Sequence, residues 1–151
     1  FLKEKFTMTE YDFTTMLNNG ITVVFPPASA EETAAAQSFF RRHNLGCLPE
    51  DYLAFLKQSD GLSYNGIELF GILPHPRPEK GYTFPALQRV NSTFLKYGFF
   101  AQKIVFGRLS EAILFYNQKS GAYAIADRIN LRSRIEVGSL SALMPHLEGF
   151  C

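Results

Sequence analysis

Two adjacent carboxylates, Glu50 and Asp51, are the first candidates for acid–base chemistry in this sequence. Paired carboxyl groups can act as a general acid and a general base when their environments separate their protonation states. Both residues, however, directly follow Pro49, and proline is typical of the first turn of a helix. Negative charge is stabilised there by the helix dipole, so we favour this structural interpretation over a small hydrolase that uses these carboxylates.

A second candidate is the pair His43 and Cys47, whose four-residue spacing could place two metal ligands on one helix face. Gly46 lies between them and is expected to break that face, and a structural zinc site requires four ligands. The remaining histidines, His75 and His146, have no cysteine or second histidine near them in the sequence. We therefore expect no metal site, no cofactor and no catalytic residue, including a cysteine nucleophile.

The segment from Gly61 to Gly66 has the glycine spacing of a phosphate-binding loop. The residues that follow are Ile67 and Glu68, so an acid stands where such a loop carries the lysine that neutralises phosphate. We interpret the segment as a helix end and a turn into a strand.

A proline-rich segment, residues 74–85, is the strongest candidate for an interaction surface. Prolines stiffen a backbone and so lower the entropy that is lost on docking, while arginine and tyrosine are favoured at interfaces. We predict an exposed loop here, and a plain spacer between a strand and a helix is the alternative. The segment also carries charged and aromatic side chains: His75, Arg77, Glu79, Lys80, Tyr82 and Phe84.

Aromatic residues at positions 97, 99 and 100 lie between Lys96 and Lys103, a pattern that could stack nucleic-acid bases on a basic strip. A chain with 15 phenylalanines needs aromatic side chains for its core, and the lysines are few. We therefore favour core packing over nucleic-acid binding.

Helix and strand signals alternate along the chain and position these candidates. Capping boxes, proline positions and glycine stops predict helices at residues 8–18, 29–42, 49–60 and 86–97, with a short helix after Ser139 that contains Pro145. Apolar and β-branched runs predict strands at residues 21–25, 67–72, 104–107, 112–116, 122–127 and 134–137. The links after residue 100 are too short for crossover helices, so these strands must be antiparallel.

Composition places the whole chain, residues 1–151, in one globular α+β domain. With 46% apolar residues in 151 it can build a core without metals or disulfides, and no apolar run reaches the ~20 residues of a membrane span. Two isolated cysteines, Cys47 and Cys151, do not make a disulfide framework, which favours a reducing cytoplasm. The first residue is Phe1, so we expect the natural N-terminus to be missing or processed.

Charge is nearly balanced overall, at +1, but differs between the two parts of the chain. Residues 1–80 carry ten acidic against seven basic side chains, and residues 81–151 carry four against eight. This polarity could steer a charged partner, or both sets could simply be solvated surface.

The stretch from Leu48 to Gly61, which reads LPEDYLAFLKQSDG and is followed by the apolar run Ile67-Glu68-Leu69-Phe70-Gly71, resembles the signature of the SUKH superfamily of Smi/Knr-type domains. Asp60 stands where that pattern has asparagine. The order of later features, including Asn91, Tyr116, Gly121, Tyr123 and Asp127, is similar to the YrhA-like branch, and the likeness covers about residues 20–150.

The resemblance implies an α+β domain with a curved, mainly antiparallel sheet flanked by helices. It also implies a cytoplasmic immunity protein that binds a cognate bacterial toxin, such as a nuclease or a deaminase, without chemistry of its own. Fungal relatives act as regulatory scaffolds, which is the alternative function. Neither direct nucleic-acid nor membrane binding is expected, while a homo-oligomer is compatible with both functions.

We predict eight partner-binding residues. The acidic side chains, for a basic partner, are Glu50, Asp51, Asp60 and Glu68, and the anchoring side chains are Tyr64, His75, Arg77 and Tyr82.

Overall fold

A seven-stranded sheet, in which every neighbouring pair is antiparallel, forms the centre of the computed structural model, which describes residues 22–148. Its strands are β1 (Val23–Val24), β2 (Leu62–Tyr64), β3 (Ile67–Leu69), β6 (Lys103–Arg108), β7 (Ala112–Asn117), β8 (Ala122–Asp127) and β9 (Ser133–Val137), in the order β1-β2-β3-β6-β7-β8-β9. A separate two-stranded hairpin consists of β4 (His75–Arg77) and β5 (Tyr82–Phe84). The predicted α+β class with a mainly antiparallel sheet is confirmed.

Within the described residues, four helices accompany the sheet. They are α1 (Ala30–Arg42), α2 (Glu50–Leu56), α3 (Leu87–Phe94) and α4 (Leu140–Glu148), and short 3₁₀ turns cover Pro78–Lys80 and Gly98–Phe100. The capping box predicted at Ser29 and Glu32 is present in both directions and explains where α1 begins. The predicted helix at residues 8–18 and Cys151 lie outside the described residues.

The main core fills one face of the sheet, because the strands place alternate side chains there. Ile104, Leu114, Tyr123 and Ile125 point to this face, where the helices supply further buried apolar side chains. The helical members of this core are Ala36, Phe40, Tyr52, Phe55, Leu56, Leu87, Leu140, Leu143, Met144 and Leu147. Burial of this apolar surface is the main source of stability for the fold.

A smaller apolar cluster covers the opposite face of β6, β7 and β8. Val105, Ile113 and Phe115 meet Phe100 and the half-buried Phe99 there. Lys103 lies with its Nζ 4.7 Å from the centroid of the Phe99 ring, at the margin of this cluster. The predicted core packing of Phe99 and Phe100 is therefore confirmed, whereas Tyr97 is 49% exposed.

Asn91 fastens α3 to the edge of β6 that β3 leaves uncovered. Its Nδ2 donates to the carbonyl oxygens of Leu87 and Val105, each at 2.9 Å, and its Oδ1 accepts from the Val105 amide at 2.8 Å. The side chain is buried, so it replaces the strand partner that the Val105 peptide groups would otherwise lack.

Two strand predictions were incomplete. The proline-rich segment is not a loop, because β4 and β5 pair within it as His75 with Phe84 and Arg77 with Tyr82. Proline is tolerated in this small hairpin since it lies outside the central sheet. Between Gly61 and Ile67 there is also a strand, β2, which turns into β3 through Asn65 and Gly66, both at positive φ. Such a two-residue turn suits a tight hairpin, so the segment is a turn as predicted, with a strand that we did not predict.

The other boundaries differ modestly from prediction. Helix α3 ends at Phe94 rather than Tyr97, and β3 covers only the first half of residues 67–72, because the chain leaves the sheet at Gly71. The four later strands fall where predicted, and Pro145 lies inside α4. Bulges interrupt the ladder of β6 with β7 and that of β8 with β9.

Replacing Asn91 by leucine should strongly destabilise the protein. Leucine has a similar volume but leaves the amide and carbonyl of Val105 unpaired in the interior, at an expected cost of about 3 kcal/mol. The free energy of unfolding in urea measures the effect, with Ser92→Ala on the exposed part of the same helix as the control. A loss below about 1 kcal/mol would contradict the role that we assign to the amide.

Candidate interaction surface

Asp60 is a buried carboxylate, only 1% exposed, at the point where the chain leaves α2 and enters β2. Its Oδ1 accepts from the Ile72 amide at 2.6 Å, and its Oδ2 accepts from the Leu73 amide at 3.0 Å. The Nε2 of His75 lies 2.8 Å from the same Oδ2 and acts as the donor, because a carboxylate oxygen can only accept. Asp60 therefore binds its own chain and has no surface to offer a partner.

His75 is fixed from two sides and belongs to the same internal cluster. Its ring stacks on Phe25 with a centroid separation of 4.2 Å and an angle of 10° between the planes. Phe25 in turn packs on Phe84, and its amide donates to the Ser59 hydroxyl at 3.0 Å. Only 14% of the His75 side chain is exposed, so the structure makes it a positioning group for the hairpin rather than an anchor on the surface.

Asp51 also has an internal role. One carboxylate oxygen accepts from the Tyr123 hydroxyl, and the other accepts from the Leu140 amide at 2.7 Å, at the first turn of α4. Burial raises the pKa of the Tyr123 phenol, and the nearby negative charge of Asp51 adds to the effect. We predicted that Asp51 stabilises the N-terminus of α2. It stabilises the N-terminus of a second helix, α4, as well.

Glu50 and Tyr64 lie apart from the other candidates. Glu50 is exposed in the first turn of α2. Tyr64 is half-buried and pairs with Ile67 across the turn between β2 and β3, so it faces the main core. The four predicted acidic residues thus do not form one patch for a basic partner.

Glu68, Tyr82 and Arg108 meet on the other face of the sheet. The Tyr82 hydroxyl donates to Glu68 Oε2 at 2.7 Å, and Arg108 Nε donates to Oε1 of the same carboxylate. Glu68 and Arg108 are directly opposite each other on β3 and β6, so the ion pair follows from the register of the sheet. The Arg108 guanidinium also lies 5.4 Å from the centroid of the Phe70 ring.

The hairpin of β4 and β5 places Tyr82 next to Glu68, and Arg77 lies beside Tyr82 on the neighbouring strand. Arg77 pairs with Tyr82 across the hairpin, and its Nε lies 3.2 Å from Glu79 Oε1. Only 11% of the Arg77 side chain is exposed, although the segment was predicted to be an exposed loop. Two predicted residues, Glu68 and Tyr82, therefore meet on one surface, whereas Arg77, like His75, is largely buried and has little surface to offer a partner.

An apolar groove of about 420 Å³ adjoins this surface. It lies between α3 and the second face of the sheet, and Glu68 and Arg108 belong to its wall. Its other lining residues are Gly66, Phe70, Val90, Phe94, Val105, Gly107, Leu109, Ser110, Ile113 and Arg128. We call the groove, together with Tyr82, the groove face.

Other sequence candidates do not form chemical sites. Helix α1 ends at Arg42, and Gly46 has a φ of 83°, so His43 and Cys47 do not share a helix face. In residues 22–148 no group of three or more histidine, cysteine, aspartate or glutamate side chains could hold a metal ion. The groove face holds hydrogen-bonding and ionic groups, which suit binding. Its carboxylate, that of Glu68, is already paired with Arg108 and Tyr82.

Sequence reasoning missed Arg108 and the groove itself. The Asn65-Gly66 pair, with alternating apolar and polar residues on both sides, is a sequence signal that could have predicted the β2–β3 hairpin. Glu68 on β3 and Arg108 on β6 are 40 residues apart in the sequence, so no local pattern indicates that they meet.

No protein-family model matches the chain, and a search of curated proteins finds no match. Among the helices within residues 22–148, none has the length and apolar character required to cross a membrane.

Asp60→Asn tests the buried carboxylate. An amide offers one acceptor oxygen in place of two, and its NH2 group cannot accept, so either the Ile72 amide or the Leu73 amide loses its partner, at about 2 kcal/mol of stability. The free energy of unfolding and the hydrogen exchange of the Ile72 and Leu73 amides measure the loss. Glu136→Gln, an equally conservative change at an exposed carboxylate on β9, should leave both values unchanged; equal effects of the two variants would refute the assignment.

Ionisation of Tyr82 tests the contacts on the groove face. Burial first, and then the hydrogen bond and negative charge of Glu68, raise its pKa to about 12, although Arg108 and Arg77 act in the opposite direction. The neutral phenol therefore contributes stability that is complete below the unfolded pKa of about 10 and is lost as the pH rises toward 12.

We expect Glu68→Gln to lower this pKa. At about pH 11, the variant should show a larger phenolate absorbance than the parent, because the contribution of Glu68 to the raised pKa is lost while that of burial remains. Tyr82→Phe, which removes the group, is the control in both backgrounds. The same absorbance in the parent and in Glu68→Gln would contradict the contact.

Proposed function

We propose that the chain is an immunity protein that binds a cognate bacterial toxin in the cytoplasm and blocks it by occlusion. The observation that supports this most strongly is the contact of Glu68 with Tyr82, both predicted as partner contacts, on the groove face. The SUKH resemblance of residues 48–61 and 67–71 supports it independently. The toxin would be a nuclease or a deaminase, bound without direct contact to nucleic acid or membrane.

The groove face has the composition of a protein-binding surface. Tyrosine and arginine are enriched in interfaces, and an apolar centre with a polar rim is their usual arrangement. Here the centre is lined by Val90, Phe94 and Ile113, and the rim carries Glu68 and Arg108. Partner atoms that fill the groove would displace water from apolar surface, which is the main driving force for association.

The surface is also preformed, which lowers the cost of binding. Tyr82 is held by Glu68, and Arg108 is held by both Glu68 and the Phe70 ring. Side chains that are already ordered lose little entropy when a partner arrives. A standard interface takes about 800 Å² from each partner, which is about a tenth of the 8444 Å² accessible on this chain.

Occlusion explains the structure better than catalysis because the buried ionisable groups are committed to the fold. Asp51 is held by Tyr123 and the start of α4, and Asp60 by two amides and His75. Asp51, one of the two paired carboxylates that motivated an acid–base hypothesis, therefore has a structural role, while its neighbour Glu50 is exposed in the first turn of α2.

Co-expression with the reading frame that adjoins this one in its genome tests the function. We expect toxicity of that product to be relieved and a complex of the two chains to co-purify. Toxicity that this chain leaves untouched, with no complex, would refute the pairing. A stable complex without relief of toxicity would favour the regulatory scaffold function instead.

Tyr82→Ala should weaken that complex about tenfold, or ~1.4 kcal/mol, because it removes an aromatic contact and releases Glu68 and Arg108. Tyr97→Ala is the matched control, since Tyr97 is an exposed tyrosine that does not line the groove. Titration calorimetry of the purified chains measures both affinities. Equal affinities for the two variants would exclude the groove face as the contact.

A further inference from the structure

The turn between β8 and β9, residues 127–133, displays an isoleucine at its tip. Ile129 is 93% exposed, which is the highest value among the large apolar side chains that the structure describes. The others in this group lie between 37% and 49%. A single exposed apolar side chain needs no explanation by itself, so the case depends on how the turn holds it and on what surrounds it.

Several hydrogen bonds hold the turn together. The Asp127 carboxylate accepts from the amides of Ile129 at 2.8 Å and Asn130 at 3.1 Å. The Asp127 carbonyl accepts from the Leu131 amide at 2.9 Å, and the Asp127 amide donates to the Arg132 carbonyl at 2.9 Å. Leu131 adopts a φ of 60°, a conformation that non-glycine residues rarely take. Such strain persists only where the surrounding contacts enforce it, and it is often found at functional positions.

The surroundings of Asp127 favour its ionised form. The Asn130 and Ile129 amides, and then the Arg134 guanidinium at 2.8 Å, hold the pKa of this carboxyl below its usual range. The hydrogen bonds that the turn makes to this carboxylate therefore favour the form that can accept them, and a partner would meet Ile129 on a hydrogen-bonded turn.

The turn is basic. Arg128, Arg132 and Arg134 are all exposed, and Asp127 neutralises Arg134. Within residues 22–148, neither Arg128 nor Arg132 forms an ion pair. The Arg128 guanidinium donates instead to the Ser110 carbonyl at 3.0 Å, which fixes its direction and leaves its charge available.

The turn is continuous with the groove face. A second hollow of about 420 Å³ is lined by Ser110, Glu111, Asp127, Arg128, Ile129 and Arg134. Two of these residues, Ser110 and Arg128, also line the groove. One partner could therefore cover the groove and the turn together.

We propose that this turn is a second anchor of the same interface, and that its partner presents an acidic surface with an apolar pocket. Ile129 enters the pocket, while Arg128 and Arg132 pair with carboxylates at its rim. This inference rests on the proposed function and specifies the partner's chemistry. It replaces the basic partner that the acidic residues of the sequence suggested.

A protein surface fits this turn better than a nucleic acid does. Binding to single strands relies on aromatic side chains that stack with bases, and the turn has none. Its three arginines are reduced to two free charges by the Asp127–Arg134 pair, and the whole chain carries only +1. A branched aliphatic tip between two cations instead complements an apolar pocket with an acidic rim.

The test uses the intact chain and the product of the adjoining reading frame, whose complex is measured by biolayer interferometry. We expect Ile129→Asp to weaken binding about 30-fold, because a charge replaces the anchor. Arg132→Glu should slow association about tenfold at low salt and much less at high salt. Leu95→Asp and Arg41→Glu place the same changes at exposed positions away from the turn and should bind as the parent does.

The outcomes separate the two claims. If the parent forms no complex, the proposed function and this anchor both fail. If the parent binds and both turn variants bind equally well, the anchor is refuted while the function stands. Unchanged melting temperatures of the variants, expected because Ile129 and Arg132 are exposed, exclude unfolding as the cause of any loss.

A third measurement addresses nucleic acid directly. Fluorescently labelled single- and double-stranded 20-mers are titrated with the chain at the same salt concentration. Tight binding that Arg132→Glu abolishes would overturn the proposal in favour of a nucleic-acid site. Absence of binding, together with the losses expected above, supports an acidic protein partner.

Discussion

A carboxylate is one of the most costly groups to bury, and Asp60 shows how this fold compensates for one. Removal of a charge from water costs several kcal/mol unless hydrogen bonds replace the lost solvent. The amides of Ile72 and Leu73 and the ring of His75 supply that replacement, and they come from the segment that leaves β3. Gly71 makes the approach possible, because a Cβ there would overlap Asp60 itself. The chain is thus tied where α2, the central sheet and the hairpin meet.

This tie positions the groove face. His75 is the first residue of β4, so fixing it against Asp60 and Phe25 fixes the hairpin, whose second strand begins with Tyr82. Tyr82 can then reach Glu68 on β3. A buried interaction with no surface of its own therefore sets the geometry of the exposed one. The polar residues near positions 50–75 thus support the proposed interface from inside the protein, and the residues that would contact a partner lie on the surface next to them.

The sequence predicted the elements better than the contacts, for a physical reason. Helix caps and strand alternation are local, so the beginning of α1 at Ser29 and the range of β8 could be predicted from neighbours in the chain. Burial of Asp60 depends on residues 12 to 15 positions later, and the meeting of Glu68 with Arg108 depends on a register across 40 positions. Residue types and spacing could therefore indicate Glu68 and Tyr82 as surface contacts, but could not show that Asp51, Asp60 and Arg77 are used inside the protein.

The same distinction changes how the charge of the chain should be understood. Counted along the sequence, residues 1–80 are acidic, which suggested a basic partner. In the fold, Asp51 and Asp60 satisfy amides and hydroxyls inside the protein, and Glu68 is paired with Arg108. Arg128 and Arg132 stay exposed on a hydrogen-bonded turn. A charge that is already compensated within the chain steers a partner weakly, whereas an uncompensated charge at the rim steers it strongly. The electrostatic character of the proposed interface is therefore set by its few free arginines, which favour an acidic partner.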